Sequence, residues 1–243
     1  MDLVIYFFLT LVFSTLFSMG GVGSAIALVS IFPMAGMPLN LAKTVGLFIN
    51  SVSTISGSIL NFLRRDLDLR FALPLVISIL ISTPVGAYLS QYIAEYWVKW
   101  VLIIFLLLSA SLLLIQKKKA QVNYTQTWIL YIIGASVGLV SGLLGVGGGS
   151  LIIPLLIFLG FEPKKAAYTV SFVIPFSSLG GFFTYLHFVQ MNWLLLAVVT
   201  IAAFLGGIIG NRIMHYRLSQ QQVKQLLAVI LYLLAIKLTI SQF

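Results

Sequence analysis

Ten apolar stretches fill most of this chain: 3–19, 22–32, 44–63, 71–90, 97–115, 127–144, 151–161, 166–186, 193–214 and 223–239. Most have the length of a helical bilayer span, about 20 residues. Only 8% of the residues are charged and 60% are hydrophobic, whereas a soluble domain carries about 25% charged residues. The expectation is an all-α polytopic membrane protein, one integral membrane domain whose surroundings are the lipid bilayer. No length is left for a separate soluble domain. The first stretch lacks the basic flank of a signal peptide, Asp2 being its only charged side chain, and reads as a retained span. Two stretches, 22–32 and 151–161, are too short to cross at full thickness, and each follows a glycine break.

The second break is Gly145-Val146-Gly147-Gly148-Gly149-Ser150. Each glycine in a helix interior costs about 1 kcal/mol against alanine. Such a cluster is of use where the backbone needs positive φ or has to approach another group closely. A helix restarting at Ser150 within the membrane would aim free N–H groups and a positive dipole end into the gap. That arrangement binds an anion without a fixed charge.

The ten stretches form two sets of five, 1–120 and 121–243. Gly21-Val22-Gly23 recurs as Gly145-Val146-Gly147 at an offset of 124, and Gly36 falls on Gly160 at the same offset. Ala42-Lys43-Thr44-Val45-Gly46 recurs as Ala167-Tyr168-Thr169-Val170-Ser171, and Val98-Lys99 as Val223-Lys224, both at 125. Matches in order at nearly one offset argue for internal duplication. Loop charge then orients the halves. With ten crossings, Arg64, Arg65, Arg70, Lys117, Lys118, Lys119, Lys164, Lys165, Arg212, Arg217 and Lys224 share one face, 11 of 14 basic residues. If the two short stretches do not cross, the division is 7 against 7 and the bias vanishes. The positive-inside rule therefore favours ten crossings with both termini outside. Five crossings per half makes the halves inverted repeats, with short broken helices after the glycine motifs and the site at the repeat interface.

The formal charge of +9 is accounted for by these orienting loops, so nucleic acid is not an expected partner. The chain has no cysteine, which excludes disulfides and thiolate chemistry. The acids Asp2, Asp66, Asp68, Glu95 and Glu162 all fall at termini or in expected loops. None lies mid-span, where carboxylate proton relays belong. Paired-carboxylate catalysis and carboxylate-rich metal sites are excluded with them. His187 and His215 read as interfacial residues at helix ends, and no serine has a histidine and an acid placed to activate it. Neither an enzyme nor a metal or other cofactor is expected. Polar residues gather after each short stretch: Thr44, Asn50, Ser51, Ser53, Thr54, Ser56 and Ser58, then Thr169, Ser171, Ser177, Ser178 and Thr184. Hydroxyls and an amide can donate to an anion that must later be released, although small polar residues also serve close helix packing. Gly134, Gly138 and Gly142, and Gly206 and Gly210, are spaced by four and read as packing positions. Lys43 reads as a helix-end lysine reaching for the interface, with attraction of the substrate as the alternative.

The run from Gly145 to Ser150, followed by Pro154, Gly160 and Ala166 to Ser171, resembles the sulfite exporter family of TauE/SafE-type permeases. Gly20 to Ser24, with Pro33 and Ala42-Lys43-Thr44, is similar to that family's degenerate first repeat. The resemblance spans nearly the whole chain. It departs where Ser24 and Ala25 stand in place of Gly148 and Gly149. It implies a cytoplasmic-membrane transporter of small sulfur-containing oxyanions such as sulfite or a sulfonate. On that reading Gly147, Gly148, Gly149 and Ser150 donate from one side and Gly21, Gly23 and Ser24 from the other. Thr44, Asn50, Thr169 and Ser171 line the cavity between them. Export by alternating access, driven by membrane potential, is the leading expectation. An anion channel, or a non-transporting membrane subunit that assists an enzyme, is the alternative. The sequence does not fix the anion, the direction of transport or the oligomeric state, and a homodimer is compatible with it.

Overall fold

A computed structural model describes residues 3–21, 23–63, 69–114, 127–158 and 163–240. Among them stand ten α-helices and no strand: α1 Leu3–Ser18, α2 Ala25–Ile31, α3 Leu39–Leu63, α4 Leu69–Leu89, α5 Glu95–Leu114, α6 Thr127–Leu144, α7 Gly149–Phe158, α8 Pro163–Leu186, α9 Trp193–Tyr216 and α10 Gln220–Ile240. The chain is an all-α membrane protein. Among the described residues, three helices are long and apolar enough to cross a membrane by length and composition, Ala72–Tyr92, Lys165–Leu186 and Trp193–Tyr216. Large apolar side chains such as Ile81, Ile104, Leu194 and Leu233 are exposed on the outer surface, as a bilayer allows. Arg64, Arg65, Asp66, Asp68, Lys117 to Lys119, Gly160 and Glu162 lie outside the described residues.

α2 and α7 are the short helices expected after the glycine breaks, with 7 and 10 residues. At 1.5 Å per residue they extend about 10 and 15 Å, against a hydrocarbon core of about 30 Å. The chain after α2 continues through a 3-10 turn, Pro33–Ala35, closed by Gly36 at φ 89°. α7 begins at Gly149, one residue before the restart expected at Ser150.

Helices of the first half pack chiefly on helices of the second. α4 lies along α6, α1 along α9, α3 along α8 and α5 along α10; α3 also meets α9 and α4 meets α8. The four-residue glycine spacings lie in these seams. Gly142 of α6 faces the Thr83 carbonyl of α4, and Gly210 of α9 faces the Thr15 carbonyl of α1; neither place has room for a Cβ. Small residues let helix backbones approach where lipid offers no hydrophobic gain from association.

Many buried and half-buried hydroxyls serve their own helix. Thr44, Ser51, Ser78, Thr184 and Thr200 each donate to the carbonyl four residues earlier. In an apolar surrounding this satisfies a donor that would otherwise be costly. One hydroxyl repairs a defect elsewhere. Pro175 lies inside α8 and has no N–H to give the Ser171 carbonyl. Ser58 of α3 donates to that carbonyl at 2.6 Å instead.

Candidate functional site

Two glycine loops carry the chain from α1 into α2 and from α6 into α7. Gly21 and Gly23 have φ of 70° and 56°, and Gly145, Gly147 and Gly148 have φ of 73°, 74° and 73°. Those values lie in the left-handed region that L side chains seldom enter. The match ends at the next position, where Ser24 adopts φ −88° and ψ −4°. The departure visible in the sequence is thus also a departure in backbone, since Ser24 is right-handed where Gly148 is left-handed.

The loops converge on the middle of α3. Gly23 lies against the Oδ1 of Asn50, and Gly147 lies against the Nδ2 of Asn50 and the Oγ of Ser178, both too close for a Cβ. Asn50 Oδ1 accepts the Ala25 N–H at 3.1 Å, and its Nδ2 donates to Ser178 Oγ at 2.7 Å. One carboxamide therefore joins the first loop, α3 and α8. Gly21 is held from the second half: a Cβ there would come within 2.6 Å of Ala167 Cβ. Ser171 Oγ donates to the Gly21 carbonyl at 3.3 Å and to the Ala167 carbonyl at 2.8 Å.

Of the sequence-expected residues, the fold gathers Gly21, Gly23, Asn50, Gly147 and Ser171 around this junction. The others are placed differently. The Ser24 hydroxyl shares a hydrogen bond with Ser14 of α1 at 3.0 Å and does not cap α2. Thr44 donates to the Asn40 carbonyl at 2.7 Å, within its own helix. Gly148 packs near Ile79 and Ser141, and Gly149 packs on the apolar side chains of Ile174 and Val170. Thr169 is buried on α8. Ser150 is the second residue of α7, and its side chain lies outside the described residues.

Sequence reasoning placed Lys43 at the membrane interface, and the fold does not. α3 begins at Leu39 rather than near Thr44, which draws Lys43 into the helix. It is 2% exposed. Its stem packs on Gly145, where a Cβ would lie 2.6 Å from Lys43 Cγ. Its Nζ donates to the Leu143 carbonyl at 3.3 Å and stands 5.2 Å from the centre of the Tyr185 ring. Tyr185 Oη is itself directed at the carbonyls of Gly142 and Leu143, at 2.8 and 3.0 Å. A cation and a hydroxyl thus meet the carbonyl end of α6, the negative end of its dipole. In the sequence Ser178 is one hydroxyl among many. Its signal is the offset of 125 from Ser53, which places it at the matching level of the second half.

A family model described as Sulfite exporter TauE/SafE matches residues 6–238. The probable membrane transporter protein YunE of Bacillus subtilis is 26% identical, over 98% of this chain and 97% of that protein. The probable membrane transporter protein YdhB of the same organism is 27% identical, over 79% of this chain and 81% of that one. Sulfite exporter TauE/SafE family protein 1 of Arabidopsis thaliana is 36% identical across a shorter stretch, 30% of this chain and 16% of its own length. Ten helices, two glycine loops meeting at a buried polar junction and a match from residue 6 to residue 238 agree: the chain belongs to the TauE/SafE sulfite exporter family of membrane transporters.

Proposed function

We propose that this protein exports a small sulfur-containing oxyanion, sulfite or a sulfonate, across the cytoplasmic membrane by alternating access. The observation that supports it most is the junction of Gly23 and Gly147 about Asn50 and Ser178. It brings a backbone N–H, a carboxamide and a hydroxyl together where both half-length helices begin. Neutral donors of this kind hold an anion and let it go. The cross-packing of α1 on α9 and of α6 on α4 supports reading 1–120 and 121–243 as inverted repeats that rock against each other. Lys43 adds positive potential at the carbonyl end of α6.

The driving force follows from charge. No acid lies in the middle of any apolar stretch, so the chain offers no carboxylate relay for proton coupling. An inside-negative potential drives each negative charge outward by about 2.3 kcal/mol per 100 mV. A dianion gains about twice that, roughly 4.6 kcal/mol, or more than a thousandfold in concentration ratio. Transport is then electrogenic uniport. The test is sulfite flux in proteoliposomes with an imposed potential and no ion gradients. Flux should follow the potential in sign and size. Flux that ignores the potential and appears only with a pH or sodium gradient would refute uniport. Conductance far above carrier turnover would make the protein a channel.

A further inference from the structure

The glycine loops meet across a side chain. Asn50 is 1% exposed, and its carboxamide lies between Gly23 on the Oδ1 side and Gly147 on the Nδ2 side. Both loops have glycine where they touch it, because a Cβ on either would run into the amide. The offset of 125 that relates the halves puts Pro175 opposite Asn50 and Ser178 opposite Ser53. One half supplies the amide. The other has no amide at that position and supplies the hydroxyl that receives it, at 2.7 Å.

We propose that the Asn50 carboxamide is a displaceable stand-in for the substrate: it holds the junction's donors, and an oxyanion binds by turning it out. This rests on the reading of the junction as the substrate site. The exchange moves hydrogen bonds only, with no proton or covalent step. Oδ1 now accepts the Ala25 N–H; an anionic oxygen is a stronger acceptor for the same N–H. Ser178 Oγ now accepts from Nδ2; by rotating its hydroxyl it donates to the anion. Such a competitor also sets specificity. A ligand has to outbid a neutral amide oxygen, so ionised oxyanions enter and neutral sulfoxides or sulfones of the same shape do not. Apparent affinity is weakened by the fraction of molecules in which the amide stays in place.

The experiment uses the purified full-length chain at pH 8 with sulfite as the probe, read as the shift of the thermal unfolding midpoint. Asn50→Ala removes the competitor and should lower the half-saturating sulfite concentration about tenfold. Asn50→Asp keeps a carboxylate on the same donors and should raise it at least about tenfold. Dimethyl sulfone should leave wild type unshifted and should shift Asn50→Ala, which lacks the amide that excludes it. An Asn50→Ala protein that needs as much sulfite as wild type, or more, overturns the proposal and makes Asn50 a ligand or a strut. If Asn50→Ala does not yield a monodisperse protein, Asn50→Asp decides, and half-saturation equal to wild type overturns it. Sulfite flux by wild type together with unchanged affinity in Asn50→Ala removes this inference and leaves the transport reading. Wild type that neither binds nor moves sulfite, thiosulfate or taurine removes both.

Discussion

Lys43 and Gly148 test the site at the scale of single residues. A buried lysine is expensive in a membrane unless it has a task. At a separation of about 10 Å and an effective dielectric of about 20, a unit charge acts on an anion with roughly 1.7 kcal/mol. Lys43→Met keeps the length of the stem, and Tyr185 still donates to the Leu143 carbonyl at 3.0 Å. The variant should therefore fold. Its KM for sulfite should rise about tenfold, with kcat changing less; an unchanged KM would detach Lys43 from the site. Gly148 has φ 73°, and a Cβ there would lie 3.0 Å from Ile79 Cδ1. Gly148→Val combines backbone strain of about 1–3 kcal/mol with that crowding. It should abolish sulfite flux while the protein stays in the membrane fraction. Survival of flux for every candidate anion would show that transport does not need the left-handed turn at Gly148.

At the scale of elements, α8 offers a test that separates packing from hydrogen bonding. Pro175 leaves the Ser171 carbonyl without its helical donor, and Ser58 supplies one from α3. Ser58→Ala should destabilise the wild type by about 1–3 kcal/mol, the cost of stranding a buried acceptor. In a Pro175→Ala background the new N–H of residue 175 can close the helical bond, and the same serine replacement should cost less than half as much. Equal costs in the two backgrounds, read by thermal unfolding in detergent, would disprove the coupling. The packing of α6 and α8 on α4 gives a companion result. Gly142→Ala drives a Cβ into the Thr83 carbonyl, whereas Gly180→Ala meets Pro84 Cγ at 3.3 Å. The first should cost about 1–3 kcal/mol and the second distinctly less.

For the whole molecule the question is how the halves lie in the bilayer. Eleven of 14 basic residues on one face orient the chain with both termini outside if all ten stretches cross. The absence of native cysteine makes the test clean. Asp2→Cys and Ser241→Cys should react with an impermeant maleimide on intact cells. Lys118→Cys should react only after permeabilisation. Labelling of Lys118→Cys and Asp2→Cys from the same side would break the ten-crossing topology, and with it the inverted arrangement of the halves.

Membrane residence, helical class and the positions of the glycine breaks were legible from the sequence. They depend on local quantities: the length of apolar runs, the scarcity of charge and the cost of glycine in a helix. The offset of 124 to 125 also picked out Gly21, Gly23, Gly145 and Gly147 as related positions, and all four take positive φ. Asn50 was expected to line the cavity between the loops, but its hydrogen-bond partners on both sides were not legible. That arrangement needs Ala25, Gly147 and Ser178 brought to Asn50 from three other segments, which no local pattern encodes. The hydrogen-bond partners of Thr44 and Ser24 were not legible for the matching reason. A hydroxyl in an apolar helix takes the nearest acceptor, and only the packed structure says whether that is its own backbone, a neighbour such as Ser14, or a ligand. Lys43 turned on where α3 begins. Five residues of additional helix, from Leu39 to Lys43, moved a charge from the membrane surface to the carbonyl end of α6. Its packing against Gly145 and Tyr185 was decided by tertiary structure alone.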